Sequence, residues 1–176
     1  MFYFSRFIMF VASVLMLSGG IVVLDQKNAT VHAAILDKTP PVEAVGSAVA
    51  SFQAIGTLRN QDPIDADALA AEYAGVLQEL TQLVDTRFTL NLDGDLLAAI
   101  DEIRDNNEPK LAAQVIDKTL QRVFFLTVLD RIALVRSDFD TKTTADLSVM
   151  WETAAAAFVA ISGTAARDNK VLTVDR

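Results

Sequence analysis

The chain has 176 residues, a length that suits one domain. It carries 15 Lys and Arg against 23 Asp and Glu, a formal charge of −8. Nucleic acid is repelled by such a surface, which instead keeps a protein soluble and draws cations. There is no Cys and only one His, which excludes disulfides, cysteine chemistry and almost all His-based catalysis or metal ligation.

The N-terminus stands apart from the rest. Arg6 precedes an apolar run over residues 7–24, and Val31-His32-Ala33 resembles a small-residue cleavage site ahead of Ala34. Residues 1–33 are expected to be a signal peptide or an uncleaved N-terminal membrane anchor, because the apolar run approaches the length of a membrane span. Either way the remainder is expected to be periplasmic or extracellular, touching a membrane only if the leader stays attached. Cleavage would remove Arg6, Lys27 and Asp25 and leave the domain one charge more acidic, with neither His nor Cys.

Residues 34–41 read as a linker in which Pro40-Pro41 opens the first helix. Val42, Val45, Val49, Phe52 and Ile55 recur at steps of three and four, a helical stripe. A polar break over residues 59–63 follows. Asp62 or Asp65 is placed to cap a second helix running to about residue 85. Its inward face is Leu69, Tyr73, Val76, Leu80, Leu83 and Val84, flanked by Glu72 and Glu79. Residues 86–95 read as an irregular connection. A short third helix then turns Leu96, Leu97, Ile100 and Ile103 inward and ends at Asn106-Asn107-Glu108-Pro109, since proline disfavours helix in the residue before it. Residues 110–136 contain neither Pro nor Gly and form one long central helix. After a polar turn over 137–142, the last helix spans about 144–166, with Leu147, Met150, Trp151, Ala154, Phe158 and Ile161 inward. Residues 171–176 are a tail. The pattern predicts an all-α fold over residues 42–170, an antiparallel helical bundle of four long helices plus one short helix.

The central helix, KLAAQVIDKTLQRVFFLTVLDRIALVR, draws the functional question. Its apolar residues point in every direction around the axis, so it is expected to be buried on all sides. Charged and amide groups lie within that run, and buried charge is costly unless paired or bound. Gln114, Asp117 and Gln121 share one face. Glu152 on the last helix is expected to approach the middle of the central helix if the two pack antiparallel. One outcome is an oxygen-ligand pocket for a hard cation. Asp117, Asp130 and Glu152 would supply carboxylates there, with Glu72 and Glu79 as further ligands. Gln121 would donate a carbonyl, and Arg122 and Arg131 would balance charge or hold a synergistic anion. The other outcome is a metal-free ion-pair network, Asp117 or Glu152 with Arg122 and Asp130 with Arg131 or Arg136, in a protein-interaction module.

Asn91, Asp93, Asp95 and Glu102 superficially copy a calcium loop. The glycine falls at the fourth position rather than the sixth, so the stretch reads as a turn with an aspartate cap. Asp62 with Asp65, and Glu102 with Asp105, read as capping or solvated pairs. Only carboxylates, arginines and Tyr73 are available for acid–base work, and the chain is not expected to be an enzyme.

Three stretches, QDPIDADALAAEYAGVLQELTQLVD, KLAAQVIDKTLQRVFFLTVLDRI and WETAAAAFVAISGTAARDNK, together resemble the low-iron-inducible periplasmic proteins of green algae and their bacterial relatives, the iron-assimilation family. The resemblance is one of helix phrases. It implies an exported helical protein that takes part in iron uptake, with iron, or another hard divalent cation, as its ligand and a membrane permease or other envelope protein as its partner. It carries no ligand positions across.

Overall fold

The computed structural model describes residues 42–168, with side chains up to residue 163. The expected export segment, linker and tail lie outside the described residues. Every regular element among the described residues is a helix: α1 (Val42–Leu58), α2 (Ala66–Tyr73), α3 (Val76–Phe88), α4 (Leu92–Arg104), α5 (Pro109–Asp138) and α6 (Thr144–Asp168).

Helix starts follow local chemistry where a cap is nearby. Asp65 accepts the free amide protons of Asp67 and Ala68 at 3.0 and 2.9 Å and fixes the start of α2. Pro109 opens α5, where the missing amide proton costs nothing. At α6, Thr143 and Asp146 cap each other. The Thr143 hydroxyl donates to the Asp146 carboxylate at 2.7 Å, and the Asp146 amide donates back to that hydroxyl at 3.2 Å. Hydrogen bonds from Thr143 hold the Asp146 carboxyl below its ordinary pKa.

Two expected helix boundaries change. The single second helix is broken into α2 and α3 at Ala74-Gly75, where Gly75 takes φ 99°, a conformation that side-chain-bearing residues avoid. The break resets the helical phase, so Leu77 is fully buried and Val76 only partly. α4 begins at Leu92, one turn before the expected start. Asp85, at the end of α3, accepts the amide protons of Leu92 and Asp93 at 2.7 and 2.9 Å and supplies the cap from the preceding helix.

α5 packs against α4 and α6, while α1 packs against α2, α3 and α6. Their shared core includes Val45, Ile55, Leu69, Leu77, Leu80, Leu96, Ile116, Leu120 and Phe124. The Phe124 ring meets Phe52 at a centroid distance of 5.4 Å and 49° between planes.

The central helix is not buried on all sides. Phe125, Leu129 and Ile132 are exposed, opposite the side that carries Leu120, Val123, Phe124 and Thr127 into the core. Trp151 and Phe158, expected to point inward from α6, are 59% and 49% exposed, and Leu97 of α4 is exposed as well. α6 buries Met150, Ala154 and Ile161 as expected, and with them Thr153 and Ala157. Small residues let its backbone come close to α1 and α5, which leaves the bulky aromatic residues on the outside.

Candidate functional site

The half-buried Asp117 carboxylate forms an ion pair with Arg59 at 3.1 Å and accepts a hydrogen bond from the Gln121 amide at 3.0 Å. The Gln121 carbonyl oxygen accepts from the Lys118 ammonium at 3.3 Å. Asp117 and Gln121 are thus brought together, with Arg59 as counter-charge rather than the expected Arg122. Arg59 was invisible as a partner because it sits in the polar turn after α1, where a charge ordinarily faces water.

Asp130 and Arg131 are also brought together. Their side chains meet at 2.7 Å, and Arg131 is the largest fully buried side chain among the described residues. It lies beside Leu80, Leu83, Val84, Phe88 and Thr127, with Arg87 close by. Burial lowers the guanidinium pKa, Asp130 pulls it back up, and the nearby Arg87 charge adds to the lowering.

The remaining candidates are scattered. Arg122 is exposed. Glu152 is exposed and accepts from the Ser148 hydroxyl one turn earlier at 3.1 Å. Glu72 and Glu79 are half-buried on α2 and α3. Among the described residues no three acidic side chains converge where they can hold a metal ion.

A polar cluster absent from the sequence-based expectations surrounds Asp93. Its Oδ1 accepts from the Tyr73 hydroxyl at 2.7 Å and from the Gln78 amide at 3.1 Å, while Oδ2 accepts from the Gln82 amide at 2.9 Å. Three helices meet there: α2 through Tyr73, α3 through both glutamines, and α4 through Asp93. Burial pushes the Tyr73 phenol well above its ordinary pKa. It therefore stays protonated and acts as a hydrogen-bond donor, not an acid–base group. Tyr73→Phe keeps the ring and removes the donor, and it is expected to cost about 1.5–3 kcal/mol, the range for a hydrogen bond to a charged group. A lower urea midpoint at unchanged slope would register the loss.

Two open recesses differ in character. One, of about 380 Å³, lies between the α1–α2 turn and the start of α5 and is lined by Arg59, Asn60, Asp62, Lys110 and Gln114 among others. Its two cations are offset by Asp62 and by the Asp117 partner of Arg59, so no net charge selects a ligand. The other, of about 330 Å³, is an apolar groove between α5 and α6, lined by Val128, Ile132, Trp151, Ala154, Ala155 and Phe158. Ile132 lies across the groove from Trp151, and Val128 from the alanines, as two helices joined by a five-residue turn and running in opposite directions require. No protein-family model, curated protein or solved structure matches this chain.

Proposed function

We propose that this chain is an exported antiparallel helical bundle that works by docking a protein partner on the face formed by α5 and α6, and that its interior charges brace the fold. The observation that carries this role is the groove itself. Trp151 and Phe158 stand exposed on one bank, and Phe125, Leu129 and Ile132 stand on or beside the other. A contiguous apolar face of this kind marks an interaction site on a water-soluble protein, and aromatic residues dominate the energetics of such sites. The pairing of Asp117 with Arg59 and of Asp130 with Arg131 supports the bracing role, because each carboxylate already has its counter-charge.

Iron uptake is the competing role, suggested by the family resemblance and by the half-buried carboxylates Asp117, Glu72 and Glu79. Incubating the full chain with Fe(III) citrate and measuring retained iron by mass spectrometry separates the two. The docking role predicts no more retained iron in the wild type than in an Asp117→Asn/Glu152→Gln variant. Stoichiometric iron that disappears in the variant would overturn it. A photo-crosslinker placed at the exposed Val159 should also give a discrete protein adduct in the native envelope.

A further inference from the structure

We propose that the Asp93-Gly94 peptide bond is a site of spontaneous backbone isomerisation, and that the contact between α3 and α4 holds it shut. Asp-Gly is the dipeptide most prone to this chemistry, because glycine has no side chain to shield its amide nitrogen. Asp93-Gly94 is the only Asp-Gly pair in the chain. In the reaction the Gly94 nitrogen attacks the side-chain carbonyl carbon (Cγ) of Asp93. The amide proton and one carboxyl oxygen, with its own proton, leave as water, and a succinimide ring closes. Water then reopens the ring at either carbonyl. One opening restores aspartate. The other gives isoaspartate, in which the backbone runs through the former side chain. Nothing is oxidised or reduced, and only water is exchanged.

The fold does not need glycine here. Gly94 lies in the first turn of α4 and takes no positive φ. The nearest atoms a Cβ would meet belong to the exposed Asn91 side chain, which is able to turn aside. Alanine would favour the helix. The Gly94 amide is one of the leading amides of α4, with no acceptor inside the helix, and Asn91 does not cap it. The nucleophile is therefore open, and the restraint falls on the carboxylate. Tyr73 and Gln78 hold Oδ1, and Gln82 holds Oδ2. Asp85 fastens the Leu92 and Asp93 amides from the preceding helix. A helical ψ of about −42° also keeps the next nitrogen off the line of attack on Cγ. Ring closure requires Asp93 to leave all three donors and its ψ to become extended, so it waits until α3 and α4 part. Isoaspartate then lengthens the backbone in the first turn of α4 and displaces the carboxylate from its donors. The junction cannot close as before, and a transient opening becomes a permanent one.

The test is incubation of the full chain in water enriched in heavy oxygen, then proteolysis and mass spectrometry of the peptide that contains residue 93. Each passage through the succinimide places one solvent oxygen in that residue, whichever way the ring reopens. The folded wild type should label at least about ten-fold more slowly than the same chain in urea. Gln82 is exposed, so its loss costs the core nothing. Gln82→Ala should label about ten-fold faster than the wild type when folded, the factor for losing one hydrogen bond to a charged group, and at the wild-type rate in urea. Ile161→Val removes a buried methyl group from α6, which packs on α1 and α5. It should lower the urea midpoint yet leave the folded labelling rate unchanged. Gly94→Ala should suppress both label and isoaspartate, folded or in urea. No label at residue 93 in urea overturns the site. A folded wild type that labels as fast as the chain in urea overturns the restraint. An Ile161→Val rate that rises as much as that of Gln82→Ala shows that the reaction passes through global unfolding, and it overturns the role of the α3–α4 contact.

Discussion

Phe124→Ala is expected to destabilise the fold by about 3–5 kcal/mol, whereas Phe125→Ala, one residue along, should change the stability of an isolated copy by less than about 0.5 kcal/mol. Phe124 is fully enclosed and packed on Phe52, whereas Phe125 is 49% exposed. Truncating the first removes its transfer energy and leaves a cavity that the surrounding helices fill only partly. Truncating the second removes a ring that is half in water and leaves no enclosed cavity. Chemical denaturation of both variants at low protein concentration checks the pair. The contrast is sharp because composition, helix and chemistry are identical at the two positions. Equal effects would mean that α5 is rotated from the orientation described.

Asp130→Asn should cost about 3 kcal/mol, the lower end of the range for removing one member of a buried ion pair. Arg131 is 1% exposed, and Asp130 is its ion-pair partner at 2.7 Å. Neutralising the carboxylate withdraws the attraction that offsets the desolvation of the guanidinium, already disfavoured by burial and by the Arg87 charge. An Asp130→Asn/Arg131→Met double variant should be more stable than Asp130→Asn, because it removes the desolvated charge along with its partner. Urea denaturation of both variants gives the comparison. A double variant less stable than the single would show that the guanidinium holds the fold mainly through other contacts.

The all-helical character was legible because the 3.6-residue pattern and its breakers agree. The Val45, Val49 and Ile55 stripe, Asp65, Pro109 and the turn before Thr144 mark helices where they occur. The same pattern placed Met150, Ala154 and Ile161 of α6 correctly but turned Trp151 and Phe158 inward, where the structure exposes them. Its alanine run is equally apolar on every side, so nothing local decides whether Trp151 or Ala157 turns inward. Close packing on α1 and α5 decides, and it favours the small residue. The candidate site was half legible. Adjacent residues such as Asp130 and Arg131 announce their pairing. Arg59 with Asp117, and Tyr73 with Asp93, lie far apart in the chain and are joined only by the way the helices pack. The expectation that α5 is enclosed all round failed for a related reason: an outward apolar seam looks the same, in one sequence, as an inward one.

The carboxylate of Asp85 gives the α3–α4 junction an unusual durability. The leading amides of a helix ordinarily have no acceptor inside it and trade their protons with solvent first. Here the Leu92 and Asp93 amides are held by a side chain from the helix before. Their isotope exchange is therefore governed by parting the two helices, not by fraying of one end, and the pair opens as a single unit.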